Sequence, residues 1–75
     1  MNEEPVMNRI ALYIFTNKKD VTVADGSTLG EVLRQMNCTQ FITIYNGTFT
    51  DAEELDNIFL KDGDVIELLL TMAGG

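Results

Sequence analysis

The chain has 75 residues and a formal net charge of −7, with no His, no Trp and a single cysteine, Cys38. That inventory excludes a Ser-His-Asp triad, a Cys-His dyad, a His-based metal site and an intrachain disulfide. The acidity argues against nucleic acid, because Arg9, Lys18, Lys19, Arg34 and Lys61 are scattered and phosphate neutralisation needs clustered cations. A domain this small buries only about 60% of its unfolded surface, which leaves little room for a deep substrate pocket. One cysteine fits a reducing compartment, and no apolar run approaches the ~18 residues of a membrane span. The expected location is cytoplasmic. The acidity keeps a small domain soluble, and it also suits steering toward a basic protein partner.

Residues 1–8, with Glu3, Glu4 and Pro5, lack periodicity and are expected to form a flexible leader. The segment from Arg9 to Phe15 alternates β-formers, with Ile10, Leu12 and Ile14 on one face and Ala11, Tyr13 and Phe15 on the other. Thr16 to Lys19 reads as a polar turn, and Asp20 to Ala24 as the return strand of a hairpin. After Asp25-Gly26-Ser27, Thr28 and Glu31 have the spacing of a capping box. Leu29, Val32, Leu33 and Met36 then form one helical stripe that ends at Asn37. Phe41 to Tyr45 predicts a third strand, Asn46-Gly47 a type I′ turn, and Thr48 to Thr50 a short return strand. Asp51 to Leu55 predicts one helical turn, with Leu55, Ile58 and Leu60 as core plugs. A turn at Lys61-Asp62-Gly63-Asp64 precedes the apolar run Val65 to Leu70, whose continuous character predicts a central strand. The expected fold is α+β, with a mixed sheet of four to five strands and one helix packed across one face. Residues 9–70 would form the single domain.

The sequence then runs through Thr71-Met72-Ala73-Gly74-Gly75. Residues 71–75 supply little to bury, and two glycines favour a flexible end. Extended, they would reach roughly 16 Å at about 3.3 Å per residue. Two residues without Cβ could enter a narrow channel, and an α-carboxyl ionised at neutral pH could attack an activated phosphate. Gly75 is therefore the candidate reactive residue, with Gly74 and Ala73 providing access.

From Thr28 onward the chain resembles the ThiS/MoaD sulfur-carrier family, which has the ubiquitin-like β-grasp fold. The matching residues are Thr28-Leu29-Gly30-Glu31-Val32-Leu33, Ile44-Tyr45-Asn46-Gly47, Leu60-Lys61-Asp62-Gly63-Asp64 and Ala73-Gly74-Gly75, in the family's order. The resemblance implies a carrier, not an enzyme. A ThiF/MoeB-like activating enzyme, using ATP and Mg, would adenylate Gly75. A sulfur donor such as a cysteine desulfurase would then give a thiocarboxylate for a sulfur-accepting enzyme. The chain itself would bind no cofactor. The short connection at Thr16 to Lys19 favours the thiamine carrier, with thiazole synthase as acceptor, over the molybdopterin-synthase small subunit. Met72 and the long leader depart from the thiamine pattern, so carriers of cysteine or homocysteine synthesis stay open.

Other residues receive plainer readings. Cys38 reads as a small apolar residue, and Asp51, Glu53, Glu54 and Asp56 as a solvated face. Leu69 alternates away from Leu68 and Leu70. With Tyr13, Phe41 or Tyr45 it is expected to form an apolar patch that docks the activating enzyme. The competing functions are a ubiquitin-like protein modifier and a non-covalent β-grasp binding module.

Overall fold

A computed structural model describes residues 6–70. Its elements are β1 (Met7–Ile14), β2 (Asn17–Ala24), α1 (Leu29–Gln35), β3 (Phe41–Tyr45), β4 (Thr48–Thr50), a 3₁₀ helix (Ala52–Asn57) and β5 (Val65–Leu70). The strands form one sheet in the order β2-β1-β5-β3-β4, so the last strand takes the centre. It runs parallel to β1 and antiparallel to β3. This is the mixed five-stranded sheet with one helix expected of a ubiquitin-like β-grasp.

β1 begins at Met7, two residues ahead of the expected start, because Met7 and Asn8 pair with Ala24 and Val23. Asn8 is buried there, and its amide donates to Asp25 Oδ1 at 3.0 Å and to the Leu60 carbonyl at 3.1 Å. The first hairpin is also tighter than expected. Asn17, Lys18 and Lys19 belong to β2, and Phe15-Thr16 alone make the turn. Phe15 has φ +59°, the positive value that suits the first central position of a primed hairpin turn. A bulky residue is disfavoured there. Its ring meets Phe41 edge-on, with centroids 6.2 Å apart, a tertiary contact that no local propensity reports. The lysines fall on the sheet's edge, where charge discourages pairing with another chain.

The helix caps itself as its sequence predicts, with one change. Thr28 Oγ1 accepts from the Glu31 N–H at 3.2 Å, but Glu31 Oε1 accepts from the Thr28 hydroxyl instead of the Thr28 N–H. The cap residue's backbone bridges Phe59, which lashes the helix start to the segment after the 3₁₀ helix. Asn37 has φ +57° and closes the helix from the left-handed region. Leu29, Val32 and Leu33 bury against Ile10, Leu12, Val23, Leu60, Ile66 and Leu68, with Cys38 in the same cluster.

Gly30 faces the 3₁₀ helix. A Cβ there would collide with the carboxylate of Asp56, which Arg34 Nη1 holds at 2.9 Å in an exposed ion pair. Gly30→Ala should swing Asp56 aside, losing roughly 0.2–1 kcal/mol of ion pair while gaining up to ~1 kcal/mol of helix propensity. The expected net change in denaturant unfolding is within about 0.5 kcal/mol. Adding Asp56→Ala should leave the double variant no less stable than Gly30→Ala alone.

Candidate functional site

The site is defined by where β5 lies and what its two faces carry. Val65, at its start, is held between neighbouring strands by two turns that are far apart in sequence. Asn46 and Gly47 both have positive φ, +50° and +85°, as a type I′ turn requires. Asn46 Oδ1 accepts from the Val65 N–H, and the Asn46 N–H donates to the Val65 carbonyl, both at 2.8 Å. In the other turn, Asp62 Oδ1 accepts from the Arg9 N–H at 2.7 Å, Gly63 takes φ +89°, and the Asp64 carbonyl accepts from the Ala11 N–H at 2.9 Å.

Asp64 joins the two turns. Its carboxylate accepts from the Tyr45 hydroxyl at 2.5 Å, Asn46 Nδ2 at 3.2 Å and the Lys61 N–H at 2.8 Å, while only 8% of the residue is exposed. Burial alone would push the Asp64 carboxyl up. The Tyr45, Lys61 and Asn46 hydrogen bonds to its charged form, with the Lys61 charge, outweigh burial and hold it below its ordinary value. The Tyr45 phenol is pushed up to about 12, by burial first and then by donating to Asp64 and lying beside its charge.

Residues directly opposite one another in register share a face. Ile66 and Leu68 are buried under the helix, so their partners Tyr45 and Thr43 face the helix too, and Phe41, opposite Leu70, follows them. The other face is uncovered by any element of the described residues. It carries Ala11 and Tyr13 from β1, Val65, Glu67 and Leu69 from β5, Ile42 and Ile44 from β3, and Phe49 from β4. Leu69 is 37% exposed, Val65 36% and Phe49 71%.

The expected patch is thus divided. Leu69 and Tyr13 share the open face, whereas Phe41 and Tyr45 pack against the core on the helix face. Ile42, Ile44 and Phe49 take their place. In Phe41-Ile42-Thr43-Ile44-Tyr45 both alternating sets are largely apolar, so the pattern alone does not choose a face. The polar Thr43 would be the natural outward residue, yet it is buried. Ala73, Gly74 and Gly75, and the expected tail 71–75, lie outside the described residues, as do residues 1–5 of the expected leader. The last described residue, Leu70, stands opposite Phe41 at the end of the central strand.

Among the described residues, no three His, Cys, Asp or Glu side chains gather in a way that could hold a metal ion. No helix among them is long and apolar enough to cross a membrane.

The fold is that of a ubiquitin-like domain, and the family match makes it one of the sulfur-carrier type. The ThiS family model matches residues 11–75, and the chain belongs to that family. Among solved structures it is similar to the crystal structure of a thiamine biosynthesis protein (ThiS) from Geobacter metallireducens. That similarity has 26% identity and a TM-score of 0.65, and it covers 87% of this chain and 99% of that one. A solution structure of a Geobacter metallireducens thiamine biosynthesis protein gives 28% identity and a TM-score of 0.60, covering 87% of each chain. The Haloferax volcanii HVO 2177 protein shares the fold at 20% identity, with a TM-score of 0.73 and coverage of 100% of this chain and 93% of that one. No curated protein sequence matches the chain significantly.

Proposed function

We propose that this protein carries sulfur on the α-carboxyl group of Gly75. The observation that carries the reading is the family match, which runs through Ala73-Gly74-Gly75. An ATP- and Mg-dependent activating enzyme of the ThiF/MoeB type would bind the open face and draw the glycine end into its nucleotide site. There the Gly75 carboxylate attacks the α-phosphorus of ATP and pyrophosphate leaves. The persulfide of a donor such as a cysteine desulfurase attacks the acyl carbon and AMP leaves, and a thiol then reduces the acyl disulfide so formed. The resulting thiocarboxylate is the sulfur nucleophile offered to an acceptor enzyme. Gly74 and Ala73 give the backbone clearance to reach both active sites.

Similarity to one thiamine-biosynthesis protein, in both its crystal and its solution structure, favours thiazole synthase as the acceptor. On this reading the chain is a co-substrate and contributes no acid, base or metal ligand of its own. The test is intact mass spectrometry of the protein isolated from its native cell. A species with one oxygen replaced by sulfur is the expected result. Lys-linked conjugates, or unmodified protein alone beside an active activating enzyme, would overturn it. Incubating the sulfur-loaded form separately with thiazole synthase, the large subunit of molybdopterin synthase and a homocysteine-forming enzyme identifies the acceptor.

A further inference from the structure

Glu67 is the one charged side chain that β5 places on the open face. In register it lies between Tyr13 on β1 and Ile44 on β3, and along its own strand between Val65 and Leu69. It is partly buried, and among the described residues its carboxylate makes no hydrogen bond or ion pair. The cations of the same face do not serve it. Lys18 lies opposite Tyr13, one strand farther out, and pairs with Asp20 at 3.9 Å. Arg9 is four positions back along β1 from Tyr13, roughly 13 Å at the strand rise.

A carboxylate in the middle of an apolar face costs little while water reaches it. Once a partner covers the face, water is excluded, and the charge is costly unless an opposite charge meets it. The apolar rim of Tyr13, Ile44, Val65 and Leu69 is what would seal the site. We infer that Glu67 determines partner specificity on this face. The activating enzyme meets it with an apolar surface carrying one arginine or lysine that pairs with the Glu67 carboxylate. Arginine suits the position better, since its guanidinium is weakly hydrated and matches a carboxylate in two hydrogen bonds. A partner surface that is apolar throughout, or acidic, is rejected by the same residue. The inference rests on the open face being the docking surface proposed above.

The experiment is calorimetric titration of the purified activating enzyme from the same organism with the full chain, at low and high salt. The carriers compared are wild type, Glu67→Gln, Glu67→Leu and Leu69→Asp. Glu67→Gln and Glu67→Leu should each weaken binding at least tenfold and flatten its salt dependence. Thermal unfolding of these two should stay at or above the wild-type midpoint, since a structural role would lower it. Glu67→Gln binding within twofold of wild type overturns the assignment. If Leu69→Asp weakens binding in that case, the docking face stands and only the role of Glu67 falls. If Leu69→Asp also binds normally, or wild type does not bind, the docking surface itself is refuted and the inference with it.

Discussion

Asp64→Ala is expected to destabilise the domain by about 2–4 kcal/mol, because it strands the Tyr45 hydroxyl, the Asn46 amide and the Lys61 N–H around one lost carboxylate. For a domain of this size that is roughly 10–30 °C in the unfolding midpoint. It is a large fraction of the whole stability of a small protein. The pH dependence provides an independent check. The folded-state pKa of Asp64 is depressed, so its contribution is present above the unfolded value, near 3.9, and is lost as pH falls through the lower folded value. Tyr45 behaves in the opposite sense. Its pKa is raised to about 12, so its contribution is full below the unfolded value, near 10, and is lost as pH rises through about 12. Wild-type stability should therefore have a shoulder at each end of the range. Asp64→Asn should flatten the acidic one and Tyr45→Phe the alkaline one, as read by denaturant titration across pH. Unchanged acid sensitivity in Asp64→Asn would refute the role given to this carboxylate.

Deleting Gly75 is expected to abolish ATP–pyrophosphate exchange by the activating enzyme completely while leaving the unfolding midpoint within about 1 °C. The basis is that the five strands and the core cluster of the described residues do not include Gly75, while the proposed chemistry needs its carboxylate. The shortened chain would present Gly74 one residue, about 3.3 Å, short of the reacting phosphorus. Displacements of that order remove the alignment that an in-line attack requires. The truncated protein should still bind the activating enzyme and compete with wild type, because the open face is intact. Exchange at wild-type rate would sink the carrier mechanism. Loss of both exchange and competition would place the docking determinant in the tail and away from the sheet.

The sequence patterns made the architecture readable because each rested on a local rule. Asn46, Gly47 and Gly63 occupy backbone conformations that few other residues reach, and Thr28 with Glu31 marks a helix start from spacing alone. The apolar run of β5, interrupted only by Glu67, placed it in the sheet's centre for a reason of burial. What escaped were the features fixed by contacts between distant segments. Nothing near Phe15 announces that it will turn the chain with a positive φ, because its reward is the ring of Phe41, far along the chain in β3. The faces of β3 escaped for a related reason. Phe41, Ile42, Ile44 and Tyr45 are all apolar enough for either side, and register with Ile66 and Leu68 decides the matter. That the Tyr45-Asn46-Gly47 and Asp62-Gly63-Asp64 segments meet through Asp64 is likewise a fact of three dimensions, although both segments were recognisable in the sequence.

The parallel pairing of β1 with β5 has a consequence for how the protein is born. These strands are nearly the first and last parts of the described chain, and each forms the other's neighbour at the middle of the sheet. Before β5 exists, the chain holds only two separate hairpins, β1–β2 and β3–β4, with no strand to join them. Closing so long a loop is entropically costly and slows folding. The domain must therefore mature after its last strand has been synthesised, and a nascent chain cut short before Val65 cannot form the sheet. If Gly75 is charged as proposed, the open face that would dock the charging enzyme is complete only after β5 is in place, so a chain cut short before Val65 would not compete as a decoy.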